Sequence, residues 1–171
     1  KLRFQDNGFH YFFQRSSTDM MATIISSDLI GTEAPHVFNQ QFCRGRPYQV
    51  IRSGEYVFVN VHPASTKMQS PKQARVRHTS MQETLNEVGN NYNHQISSTA
   101  RIIVGGDFNN LKSSKPKFKG REIHTEKRRY NSHGGSNAID HILTNGTFTA
   151  EKMTTDQGMS DHHPVLAKIE F

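Results

Sequence analysis

Residues 104–110 read VGGDFNN and follow Ile102-Ile103, so an apolar run ends in two glycines and two polar residues flanking Phe108. The run 102–104 reads as a buried strand. The glycines end it and let the backbone turn or approach another group closely. In extended geometry residues two apart share a face. Asp107 and Asn109 therefore point together, while Phe108 points into a core. A carboxylate and a carboxamide on the rim of a sheet can hold a metal, a water or a phosphate. An Asx turn is the plainer reading of the same residues.

Working outward, the spacing predicts strands over 9–14, 20–26 and 138–143, and a last one over 165–171. The stretches 48–52 and 56–61 flank Ser53-Gly54-Glu55 and read as a hairpin. Residues 71–90 read as a helix. Pro71 suits the first turn, and Ala74, His78, Met81, Leu85 and Val88 recur at helical spacing. Residues 111–137 are polar and basic, a long loop with one short strand around 121–124. A loop of that length in a compact domain is often functional. Strands with interspersed helices favour an antiparallel or mixed sheet with helices packed on it.

A chain of 171 residues is one domain by length and can bury a core. Its apolar fraction is 33% and its mean hydropathy −0.72, so the core is modest. No stretch has the roughly 18 apolar residues of a membrane span, and the start, KLRFQD, has no signal-peptide pattern. Neither feature fixes a compartment; a secreted toxin-like protein and an intracellular one both fit. The single cysteine, Cys43, cannot form an internal disulfide and reads as a buried, inert thiol. A net charge of +6 and a pI of about 9.6 favour polyanionic partners. The basic residues gather at Lys112, Lys115, Lys117, Lys119, Arg121, Lys127, Arg128 and Arg129.

Polar residues punctuate four strand ends in the same way. His62 follows YVFVNV, Asp107 and Asn109 follow IIVGG, Asp140 lies within AIDHIL, and SDHHP at 160–164 precedes the last strand. Alone, each has a plain explanation: a core histidine, a turn cap, an ion pair. Together they supply the groups that hydrolysis of a phosphate ester needs. These are a group to orient water, an acid for the leaving oxygen, and donors or a metal to neutralise charge. Oxygen donors suit Mg²⁺, Ca²⁺ or Mn²⁺ rather than Zn²⁺. The histidines lack zinc-like spacing.

NVH at 60–62, GDFN at 106–109, IDHI at 139–142 and SDHHPV at 160–165 resemble the endonuclease/exonuclease/phosphatase superfamily, with its deoxyribonuclease-I-like fold. Arg46-Pro47, Ile51-Arg52, Gly54, Val57-Phe58 and Val61-His62 further resemble the catalytic subunit of cytolethal distending toxin. The resemblance implies an α+β fold, a four-layer α/β/β/α sandwich of two mainly antiparallel sheets. It also implies a metal-dependent phosphodiesterase, an endonuclease acting on DNA or another phosphate-ester polyanion. His62 resembles the general acid or phosphate donor beside the scissile phosphate. Asp107 resembles the group that orients the attacking water, and Asn109 the amide on a phosphate oxygen. His162 resembles the second catalytic histidine, with Asp140 its orienting partner. Arg46 resembles a phosphate-binding arginine, Asp161 a metal-linked carboxylate, and Asp19 an acid supporting the first histidine.

The superfamily pattern begins with a strand carrying Asn and a strand ending in Gln-Glu, and nothing before residue 9 matches either. The expectation is a single domain over 1–171, incomplete at its N-terminus, with a second chain as one possible source of the missing strands. A phosphoinositide phosphatase and a non-catalytic nucleic-acid or partner-binding fragment are the alternatives.

Overall fold

The computed structural model describes residues 2–16, 19–42, 46–64, 80–109, 115–125, 139–153, 162 and 164–171. Residues 71–79 of the expected helix, Cys43, Asp161 and the basic residues Lys112 and 127–129 lie outside them. The strands are β1 (Leu2–Asp6), β2 (Phe9–Arg15), β3 (Met20–Ser26), β4 (His36–Gln41), β5 (Pro47–Ser53), β6 (Tyr56–Val61) and β7 (Arg101–Asp107). They continue with β8 (Lys117–Phe118), β9 (Arg121–Glu122), β10 (His124–Thr125), β11 (Asp140–Thr144), β12 (Thr147–Met153) and β13 (Val165–Glu170). One helix, α1 (Met81–Asn91), lies among the described residues.

The central sheet has six strands in the order β10-β11-β7-β6-β5-β4. Every pair is antiparallel except β6 and β7, which run parallel and set Val61 opposite Gly106. That parallel step requires a crossover, and α1 lies within it. Alternation sorts the two faces. Val57, Val59 and Val61 of β6 and Ile102 and Val104 of β7 are buried in one core with Met81, Leu85 and Val88 of α1. The helix starts where Ser80 and Glu83 form a capping box, each side chain bonding the other's backbone N–H.

The other face carries the three-stranded antiparallel sheet β1-β2-β3. Phe12 and Ile25 form a second core with Ile51 of β5, with Ile30, Val37 and Phe58 packed against it. Asn60 joins the sheets by donating to Ala22 O and Thr23 Oγ1, each at 3.0 Å. β12 and β13 make a separate two-stranded ribbon. Among the described residues this gives helix, sheet and sheet in layers.

The sequence reading places no strand before residue 9, at 36–41 or at 147–153; β1, β4 and β12 correct it. β1 exists because Asn7-Gly8 turns back on β2, with φ of 48° and 82°. Both residues sit in the left-handed region that a two-residue hairpin turn needs. β4 covers the free edge of β5 over six paired residues. The loop after residue 111 also holds more structure than one short strand. Lys119-Gly120, with φ of 49° and 79°, turns the hairpin β8–β9, and β10 becomes the edge strand of the central sheet.

Candidate active site

The polar residues from different strand ends meet at one end of the six-stranded sheet. The parallel step brings His62, directly after β6, beside Asp107, the last residue of β7. It depends on Gly106, whose φ is 144° and where an added Cβ would lie 2.0 Å from Val61 O. The glycine pair in the quoted stretch thus serves a close backbone approach. On the other side of β7 the antiparallel register sets Asp140 directly opposite Asp107. Phe108 N donates to Ile139 O at 2.7 Å and continues that pairing.

Asp107 Oδ1 accepts from Asn109 N at 2.7 Å, and Asn109 Nδ2 donates to Pro63 O at 2.8 Å. The plainer reading of the GDFN stretch is the one seen: an Asx turn shapes it, and the turn fixes the Asp107 carboxylate. Asn109 adopts a φ of 51°, which Asn tolerates better than most residues. One N–H of its amide holds the His62-Pro63 segment against β7, a contact to a backbone carbonyl that no sequence motif announces.

Arg46 Nη1 lies 2.8 Å from Asp19 Oδ2 and 3.3 Å from His62 Nε2. Asp19 thus reaches His62 by way of Arg46. Arginine has only donors, so Nε2 accepts in this contact and the His62 proton sits on Nδ1. Burial and the Arg46 charge hold the imidazole below its ordinary value, against the opposing pull of Asp107 and Asp19. The Asp107 Oδ2 atom is 3.7 Å from Nε2. Burial pushes the Asp107 carboxyl up and Asp140 adds to this, while the Asn109 N–H, His62 and His162 pull it down. On the far side His162 Nδ1 lies 2.8 Å from Asp140 Oδ2. Asp19, Arg46, His62, Asp107, Asn109, Asp140 and His162 are thus all brought together. Asp161 falls outside the described residues.

Asp107, Asp140 and His162 each offer a ligand atom within 4.8 Å of the others. The donor chemistry fits a hard divalent cation on the two carboxylates, since Mg²⁺ prefers oxygen and keeps several waters. The charge arithmetic fits too, because two adjacent carboxylates favour a cation or a proton between them.

No protein-family model matches the chain, and no curated protein sequence is significantly similar. Solved structures are. CdtB, the biologically active subunit of cytolethal distending toxin, matches with a TM-score of 0.58 and 19% identity over 92% of this chain. The 3′ phosphatase NExo from Neisseria, bound to a product DNA hairpin, matches with a TM-score of 0.62 and 16% identity over 96% of this chain. The chain has the deoxyribonuclease-I-like fold. Truncated TDP2 of Caenorhabditis elegans shares it, with a TM-score of 0.59 and 16% identity over 94% of this chain. The chain spans 65% of the CdtB structure, 75% of the TDP2 structure and 80% of the NExo structure. In this fold the site occupies the sheet end where β6 and β7 finish and β11 begins.

Proposed function

We propose that this protein is a metal-dependent phosphodiesterase that cleaves DNA as an endonuclease. The observation that carries the reading is the meeting of the Asp140–His162 pair, Asp107, His62 and Arg46 at one sheet end. The same fold belongs to a 3′ phosphatase seen with a DNA product, which supports a phosphate ester as substrate.

The residues divide the reaction between them. Arg46 donates to a phosphoryl oxygen as a fixed cation held in place by Asp19. Asp107 orients the attacking water and takes its proton as the new P–O bond forms. Asp140 accepts from His162 Nδ1 and so presents Nε2 toward the phosphoryl group. His62 begins neutral, accepting from Arg46. An arriving phosphate draws Arg46 away and adds negative charge, which favours protonated His62. Nε2 then donates to the leaving oxygen as the old P–O bond breaks. A divalent cation on Asp107 and Asp140 would neutralise charge on the phosphoryl oxygens.

Nicking of supercoiled plasmid with Mg²⁺ tests the proposal. His162→Ala is expected to slow nicking by about 10²- to 10⁴-fold. Unchanged nicking would overturn the assignment. Phosphate released from an inositol phospholipid without any nicking would reassign the site to a phosphoinositide phosphatase. DNA binding without hydrolysis under any metal would make it a binding module.

A further inference from the structure

A second polar feature lies along the edge strand β10. A cavity of about 320 Å³ is lined by Lys115, Pro116, Glu122, Ile123, His124 and Thr125. Its back is the link from β9 to β10, where Ile123 is buried and Ile123 N donates to Pro116 O at 3.0 Å. Its rim is polar. The cavity belongs to the basic region that the sequence assigns to phosphate contacts, and the structure divides that region sharply. Lys119 Nζ donates to Tyr92 O at 2.6 Å and Gly89 O at 3.2 Å, capping the C-terminal turn of α1. Arg121 donates to Ala100 O at 3.1 Å. Lys117 stands 4.0 Å from Glu122, so the one carboxylate on the cavity rim faces a cation of its own. Three of the four described cations are thus engaged within the fold. The Lys115 side chain has no hydrogen bond or ion pair among the described residues. The same holds for the side chains of His124 and Thr125.

The cavity has a defined place relative to the chemistry. β10 is the sheet edge beyond β11, and Thr125 pairs with Leu143, three residues along β11 from Asp140. That offset is about 10 Å along the strand and one strand spacing of about 5 Å across. A strand whose scissile phosphate lies at Asp107 and Asp140 can therefore bring a neighbouring phosphate to the cavity mouth.

We infer that this cavity is a phosphate subsite for the nucleic-acid strand, in which Lys115 and His124 bind a phosphate of the strand that is cleaved. The inference rests on the nuclease reading for its substrate, but binding can be measured without hydrolysis. The experiment compares the full chain with a Lys115→Gln/His124→Gln variant, both substitutions on exposed side chains with no partner among the described residues. The readout is the affinity for a fluorescent DNA oligonucleotide over a series of salt concentrations. Affinity is expected to fall about tenfold, with a salt slope shallower by about one. A Lys168→Gln control removes one charge beside Glu170, where the pair spans 3.7 Å, and is expected to change little. Unchanged affinity and slope in the double variant would overturn the subsite. So would an equal loss in the control, which would reduce it to general charge. Inorganic phosphate that matches the oligonucleotide in affinity would overturn the strand assignment in favour of a free anion. If the oligonucleotide binds as expected but the wild-type chain never nicks plasmid, the subsite stands and the nuclease reading fails.

Discussion

Gly106 shows how much one hydrogen atom in place of a methyl group can decide. Its backbone passes so close to Val61 that an added Cβ would sit 2.0 Å from the Val61 carbonyl oxygen, and its φ of 144° strains any L side chain. Gly106→Ala is therefore expected to lose more than about 3 kcal/mol of stability in urea unfolding, with the β6–β7 step forced apart. A variant as stable as wild type would show that the approach is not needed. The same step places His62 beside Asp107, so the glycine positions the site. The sequence made this glycine legible, because a glycine pair ending an apolar run signals close approach or a turn. Asn109 was legible as a candidate, but its bond to the Pro63 carbonyl was not, since a backbone acceptor has no residue type.

Two Asn-Gly pairs show what local signals can and cannot do for an element. Asn7-Gly8 has both residues at positive φ and closes the β1–β2 hairpin. That dipeptide is a strong hairpin signal and could have revealed β1. Asn145-Gly146 separates β11 and β12, yet β12 pairs with β13 instead of folding back on β11. Here the asparagine is a clamp. Its Oδ1 accepts from Ile102 N at 2.7 Å and its Nδ2 donates to Ala100 O at 2.8 Å, so it pairs the start of β7. Asn145→Ala leaves both backbone groups without that partner and is expected to cost about 1–3 kcal/mol. Calorimetric or urea melts of wild type and variant check it. The same two bonds occupy the amide that a glycan on the Asn145-Gly146-Thr147 sequon would modify.

Across the whole molecule, the site makes stability depend on pH in two opposing ways. His62 is held below its ordinary value by burial and Arg46. The unfolded chain therefore binds that proton first, and the stability present above the ordinary histidine value is lost as pH falls toward the depressed one. Asp107 is raised by burial and Asp140. Its contribution is full below the ordinary carboxylate value and is lost as pH rises through the raised one. The two together predict a trough in weakly acid solution. Urea melts from about pH 4 to about pH 8 should show wild type dipping there relative to a His62→Gln/Asp107→Asn variant. A difference that is flat with pH would contradict the assigned shifts.

At this scale the chain's periodicity, its turn glycines and its four polar strand ends determined most of the strands and five members of the candidate site, His62, Asp107, Asn109, Asp140 and His162, while the layered fold class, Arg46 and Asp19 came from the resemblance of its motifs. Those features are local, and each strand end announces itself within a few residues. Tertiary structure alone decided which strands are neighbours, because pairing partners such as β7 and β11 are separated by long connections and their register depends on both chains of backbone at once. It decided that Asp140 faces Asp107 and that Arg46 rather than Asp19 touches His62 through Nε2. It also decided which cations of the basic region serve the fold and which face the cavity. A lysine's charge is written in the sequence, but whether that charge is met by a helix carbonyl, a glutamate or solvent depends on packing that brings distant residues together.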